Sequence, residues 1–225
     1  MIHDRPVRFV VRPRARRISL RIDTARREAV AVLPRNRDKA RAEALIAEKS
    51  AWLERHLRQL PPPMPFVPDG AVLLRGRLVT LRKLPGRGPA QEDGSALRVP
   101  CPAGAAFAGR VRRALIALAR EALQARAHHH AAALGVAITG LGVRDTSSRW
   151  GSCAPNGRLN FSWRLVCAPP SVLDYVCAHE AAHLLEPNHG PRFWALVAQC
   201  VGDPKASRRW LRDHAAQLFA VGAKS

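Results

Sequence analysis

Short apolar and alternating runs open the chain: Val7-Arg8-Phe9-Val10-Val11, Ile18-Ser19-Leu20-Arg21-Ile22 and Ala29-Val30-Ala31-Val32-Leu33. Their brevity and β-branched content predict three strands in a small antiparallel sheet. Asn36 then offers a helix cap. Ala40, Ala44, Ile46, Ala47, Trp52, Leu53 and Leu57 supply an apolar stripe through about Leu60, so one helix is expected to pack on that sheet. Pro61-Pro62-Pro63-Met64-Pro65 cannot continue a helix and makes a stiff connector. Beyond it, Val72-Leu73-Leu74 and Leu78-Val79-Thr80-Leu81 flank Gly76 as a hairpin, Leu97-Arg98-Val99 reads as a third strand, and Pro85 to Ser95 is a polar loop.

The second half changes period. From about Ala105 to Leu134 apolar residues such as Val111, Leu115, Leu118, Ala122 and Leu123 recur at helical spacing, and Gly135 is a natural stop. His128, His129 and His130 near its end spread over roughly 200° of the helix, so they cannot share one metal, and a solvated or partly packed helix end is expected. Val136 to Ile138, Val143 to Ser148 and Arg158 to Val166 read as strands. A further helix follows Pro169-Pro170-Ser171-Val172-Leu173-Asp174, which places a hydroxyl three residues before an acid in the manner of a capping box. Pro191 opens another helix carrying Phe193, Trp194, Leu196, Val197 and Cys200; Gly202 ends it, and Asp203-Pro204 begins the last. The chain is therefore expected to be α+β, with a β-rich subdomain containing one helix over residues 1–100 and a second domain over residues 101–225.

Composition narrows the class. The 225 residues are 47% hydrophobic, enough for a real core. No apolar run reaches the roughly 18 residues of a membrane span, and Met1-Ile2-His3-Asp4-Arg5-Pro6 has no signal-peptide core, so a cytoplasmic protein is expected. The five cysteines are scattered and lack CxxC spacing, as suits thiols in a reducing compartment. Cys153 and Cys177 lie nearest the candidate site described next, and both are expected to pack as small apolar residues rather than act as nucleophiles.

The formal charge is +20, which invites contact with phosphate. Residues 1–60 hold 16 basic and 7 acidic groups, residues 61–144 hold 12 and 4, and residues 145–225 hold 9 and 6. The excess thus lies outside the segment with the densest candidate chemistry. Arginine outnumbers lysine 32 to 5, a bias that genomic base composition could also produce. Arg12, Arg14, Arg16 and Arg17 cluster between the first two strands, either as a solvated loop or as a phosphate or acidic-substrate contact.

The candidate chemistry is His179-Glu180-Ala181-Ala182-His183 with His189 after it. Histidines four apart on a helix lie about 6 Å apart along the axis on nearly one face, so His179 and His183 can aim at one zinc ion. Glu180 is rotated roughly 100° from His179, beside the metal, where it can take a proton from a water on the ion. A catalytic zinc usually keeps three protein ligands. His189 is the leading third, because Pro187 can end the helix and Asn188 can turn the chain back through a left-handed conformation. Glu186, Asp203 and His214 are alternatives that leave those helix breaks less well explained. Trp150-Gly151-Ser152-Cys153 reads as a tight turn beneath the site, and Ser152 has no evident Asp-His partner. Arg149 and Arg164 can stabilise an oxyanion, hold a substrate carboxylate or form structural ion pairs; Tyr175, one turn before His179, can touch the cleft or pack in the core.

Around this motif stand Ser148-Arg149-Trp150-Gly151-Ser152-Cys153, Leu159-Asn160, Trp163-Arg164-Leu165-Val166, Asp174-Tyr175-Val176, Asn188-His189-Gly190, Phe193-Trp194 and Arg209-Trp210-Leu211. The string resembles the YgjP-like metallopeptidase family, bacterial relatives of the SprT-like and WLM zinc proteases, most densely over residues 144–213. The resemblance implies a zincin-like C-terminal domain, zinc bound by His179, His183 and His189, and Glu180 as the catalytic residue. Ala181 departs from the family's usual leucine. The expected activity is a zinc-dependent hydrolase, first a metallopeptidase acting on a peptide or protein. Alternatives are a nucleotide phosphoanhydride hydrolase with arginines clamping phosphate, or a basic DNA-binding protein with a structural zinc.

Overall fold

A computed structural model describes residues 7–146 and 149–223; the Met1–Pro6 segment and Ser148 lie outside the described residues. These residues form a mixed α+β protein in two compact units that divide between Pro62 and Pro63. The strands between residues 71 and 100, which the sequence pattern groups with the N-terminal part, therefore belong to the second unit.

In the first unit, β1 (Arg8–Val11), β2 (Ser19–Asp23) and β3 (Glu28–Leu33) make one sheet in the order β1-β3-β2. β2 and β3 pair antiparallel across a turn in which Arg27 takes φ 57°, but β1 pairs parallel with β3. The sheet is thus mixed, not antiparallel. The reason is the length of the Arg12–Ile18 connection, which lets the chain cross β3 and leaves that most apolar strand in the centre. Ala29, Val30, Ala31 and Leu33 are all buried. The expected single helix is two, α1 (Lys39–Glu48) and α2 (Ser50–Arg58), interrupted at Lys49. Ala42, Ile46, Leu53 and Leu57 cover Ala29, Ala31 and Leu33 to form this unit's core.

The second unit begins with a four-stranded sheet in the order β4-β5-β7-β6, made of β4 (Ala71–Leu74), β5 (Arg77–Leu84), β6 (Gln91–Glu92) and β7 (Ala96–Pro100). The β4–β5 hairpin turns at Arg75 and Gly76, both with positive φ (52° and 79°). Its tip is pinned by hydrogen bonds from Arg75 N–H to the Val166 carbonyl (2.8 Å) and from Gly76 N–H to that of Cys167 (2.9 Å). A Cβ on Gly76 would lie 2.8 Å from Pro169 Cγ, so only glycine lets the turn approach the start of the next helix so closely.

The long helix α3 (Phe107–Ala133) spans about 40 Å at 1.5 Å per residue and buries Val111, Leu115, Ala119 and Leu123 along one stripe. Gly135 follows it at φ 71°. β8 (Gly140–Arg144), β9 (Gly151–Cys153) and β10 (Arg158–Ser162) form a second sheet in this unit, with β10 central, parallel to β8 and antiparallel to β9. Residues 136–138 are not a strand, and Trp163–Cys167 is a 3-10 turn that folds fully buried Trp163 and Leu165 into the core. Three helices complete the unit: α4 (Pro170–Ala182), α5 (Pro191–Val201) and α6 (Lys205–Ala220).

The start of α4 departs from the expected capping box. Pro169 is the N-cap residue, no side chain caps the helix, and Pro170 occupies the first turn, where its missing N–H costs nothing. Asp174 is committed elsewhere. Its carboxylate accepts from Arg126 Nε (2.5 Å) and His130 Nε2 (2.7 Å), both on α3. Burial by itself would raise the Asp174 pKa, but these two partners outweigh it and hold the group at about 2. The helix end is partly packed, with His130 completely buried where it meets Asp174 and His128 and His129 exposed.

Candidate metal centre

α4 is apolar on most of its surface, burying Val172, Leu173, Val176 and Cys177 in the core. Its C-terminal end carries His179 and Glu180, with His183 as the capping residue in helical conformation. The helix therefore stops before Pro187, and Asn188 does not take a positive φ. The chain turns instead through hydrogen bonds from Leu184, Leu185 and Glu186 back to the carbonyls of Ala181 and Ala182. This tightening also aims the Glu186 carbonyl at His183, whose Nδ1–H donates to it at 3.0 Å. That bond selects one tautomer and leaves the His183 Nε2 lone pair facing the cleft.

His189 arrives on the turn before α5. Its Nε2 is 3.1 Å from Nε2 of His179, and the three histidines place their candidate ligand atoms within 4.8 Å of one another. Two nitrogens bound tetrahedrally at zinc distances of about 2.0–2.1 Å stand roughly 3.3 Å apart, so the His179–His189 pair is already spaced to share an ion. The three donors are nitrogens and one position of a tetrahedron is left over. That donor set fits zinc.

Packing fixes the rings. Phe193, fully buried on α5, lies under all three, with centroid separations of 4.8, 4.5 and 4.7 Å to His179, His183 and His189. Trp194 flanks His179 and His189 at 6.0 Å and carries Arg208 over its ring at 4.4 Å. Tyr175 is buried one turn before His179 and places its hydroxyl 3.4 Å from His179 Nδ1, an orienting contact. Burial lowers the pKa of His179 to about 3, with His183 and His189 adding to the effect, so the ring is neutral and available as a ligand. The alternative third ligands are otherwise placed. Among the described residues the cluster holds only the three histidines and none of Glu186, Asp203 and His214; Asp203 accepts from the Lys205 N–H, and His214 bonds the Trp210 carbonyl and stacks on that ring.

Glu180 is 5% exposed and opens onto the same cleft of about 510 Å³. Burial raises its pKa to about 7, against the opposing pull of Arg149, which lines the cleft beside it. The opposite wall is β9, an edge strand and not the tight turn expected for Gly151–Cys153. A Cβ on Gly151 would fall 2.5 Å from Glu180 Oε1 and 2.6 Å from its Cγ, so the carboxylate occupies the space this glycine leaves.

A family model described as YgjP-like, metallopeptidase domain, matches residues 16–214. The chain belongs to the YgjP-like family. No curated protein and no solved structure matches it. Membership in the YgjP-like metallopeptidases implies a metal cofactor and a peptide or protein substrate, and the three-histidine cluster is a group able to hold such a metal. No helix among the described residues is long and apolar enough to cross a membrane.

Several residues of the sequence motif fall outside the chemistry. Arg164 is buried, ion-paired with Asp145 and stacked on Trp163 at 4.5 Å, so it is the structural ion pair among its alternatives. Trp150 stacks on Phe219 at 5.0 Å. Cys177 is buried and its thiol is pushed up strongly by desolvation; Cys153 is raised by burial and by Glu180, and neither has the lowered pKa of a nucleophile. Two contacts escape sequence reading altogether, the Asp174 clamp on α3 and the seat of Glu180 against Gly151.

Proposed function

We propose that this chain is a zincin-type zinc metallopeptidase in which His179, His183 and His189 hold Zn²⁺ and Glu180 is the general base. The observation that carries the reading is a buried carboxylate opening onto the cleft where three imidazoles converge. A zinc ion in that position would supply Lewis acidity and lower the pKa of a water toward neutrality. Glu180 accepts the proton of the attacking water and returns it to the leaving amine, a role that typically contributes about 10² to 10⁴-fold. Its raised pKa suits both halves of that exchange near neutral pH. Arg149, which lines the cleft and pulls the Glu180 pKa down against burial, would offset negative charge on the substrate carbonyl. The free edge of β9 offers backbone groups to an extended peptide laid along the cleft.

All of these residues lie within the second unit. Five free thiols and the absence of a spanning helix among the described residues suit a protein of the cytoplasm. The deciding experiment measures zinc content and hydrolysis together. Wild type should bind one zinc and cleave a peptide library, His189→Ala should lose zinc, and Glu180→Gln should keep zinc and lose cleavage. Cleavage of nucleoside triphosphates in place of peptides would redirect the same site to phosphoanhydrides, and full function in Glu180→Gln would reduce the zinc to a structural role.

A further inference from the structure

The first unit carries its own concave feature, remote in sequence from the histidines. An open groove of about 980 Å³ runs between the Arg12–Ile18 connection, the link from β3 to α1, and one side of α1. Arg16, Arg17, Arg35, Arg37 and Arg41 line it against only two carboxylates, Asp38 and Glu48. All five arginines are exposed, and among the described residues none forms an ion pair. Elsewhere in this unit some cations are ion-paired: Arg8 is spent on Asp23 and Glu28, and Arg58 on Glu54. Asp38 is partly satisfied by the Arg35 backbone N–H at 3.1 Å. The groove therefore concentrates unneutralised guanidinium groups on a curved wall, where their fields add.

We propose that this groove binds the phosphodiester backbone of duplex nucleic acid, without reading its sequence. Guanidinium groups pair with phosphate in a planar, two-pronged geometry, and arginines from three separate chain segments can follow a line of phosphates. The rest of the lining, Pro13, Ala15, Ile18, Pro34, Ala44 and Leu45, contains no aromatic ring on which an unpaired base could stack. Backbone contact therefore supplies the affinity, and duplex is favoured over single strands. A membrane surface fits poorly, because the charges line a hollow and not a flat or convex face. This binding site is independent of the hydrolytic reading and stands or falls separately from it.

The test is binding of the full-length protein to a labelled random-sequence duplex, followed by fluorescence anisotropy from 50 to 300 mM salt. Three variants are compared: Arg16, Arg37 and Arg41 all changed to Gln, the same three changed to Lys, and a control with Arg87, Arg113 and Arg120 changed to Gln, which removes equal charge from exposed sites in the second unit. The groove Gln variant should bind at least tenfold more weakly and lower the slope of log K against log salt by about 1 per arginine removed. The Lys variant should keep most of the slope, and the control should stay within about threefold of wild type. Equal losses in the groove and control variants would reduce the binding to net charge and overturn the proposal. So would equal losses in the Gln and Lys variants, tighter binding of single strands than of duplex, or displacement of duplex by polyglutamate or inorganic phosphate at matched charge.

Discussion

Replacing Gly151 by alanine should unseat the Glu180 carboxylate without touching a metal ligand. The added Cβ would lie 2.5 to 2.7 Å from Oε1, Cγ and Cδ of Glu180, whereas ordinary contact begins near 3.4 Å, so the side chain has to move by roughly 1 Å. Glu180 is 5% exposed and has little room for that movement. Overpacking of this kind typically costs about 1–3 kcal/mol of stability. A misplacement of about 1 Å at a reacting group can cost about 10²-fold in rate, while the whole general-base contribution sets a ceiling near 10⁴-fold. Gly151→Ala should therefore lower kcat about 10 to 100-fold, with KM and zinc stoichiometry close to wild type. The decisive measurement is the double variant with Glu180→Gln. Once the base is gone, moving the side chain at 180 no longer misplaces a proton acceptor, and the second change should add almost no further loss of kcat. Full additivity, or an alanine variant with wild-type kcat, would refute the placement of Glu180 against β9.

Asp174→Asn should destabilise the protein at pH 6 by about 1–2 kcal/mol, a value discounted for the partial exposure of the group. The folded pKa lies below the ordinary value of 3.8, so the contribution is complete above about pH 4 and fades as pH falls toward 2. Urea unfolding of both proteins across that window should show the gap closing, and a gap independent of pH would contradict the clamp. Gly76→Ala introduces a side chain at φ 79° against Pro169 and should cost about 1–3 kcal/mol in urea unfolding; an unchanged midpoint would mean the turn does not press on α4. Phe193→Ala removes the floor beneath the three imidazoles, and calorimetry should report about 3–5 kcal/mol of lost stability together with weaker zinc binding. Tyr175→Phe removes only a 3.4 Å contact to His179 Nδ1 and should weaken zinc binding by less than about tenfold in a competition titration.

What could be read from the sequence was local. His179 and His183 are one helical turn apart, and that spacing alone places them on one face. Pro191 and Gly202 bracket α5 as their backbone restrictions require. Alternation revealed the strands of the first unit but not the direction of β1, because a period of two is the same for parallel and antiparallel neighbours. Ser171 and Asp174 satisfied the spacing of a capping box, yet tertiary partners 44 and 48 residues away claimed the acid. His189 was expected near its partners through a break at Pro187. The actual turn begins earlier, at His183, because backbone carbonyls at a helix end take whichever donors are nearest. Gly151 looked like turn punctuation, since only the fold brings a residue 29 positions later into the space a side chain would fill.

The 3.1 Å approach of His189 Nε2 to His179 Nε2 brings together residues ten positions apart, one on an exposed turn and the other set in a packed helix. Any ion gripped by both rings would act as a removable crosslink, closing that short loop much as a covalent bridge would. Chelation should then open the segment from Leu184 to Gly190 first, and limited proteolysis there would report metal loading independently of catalysis.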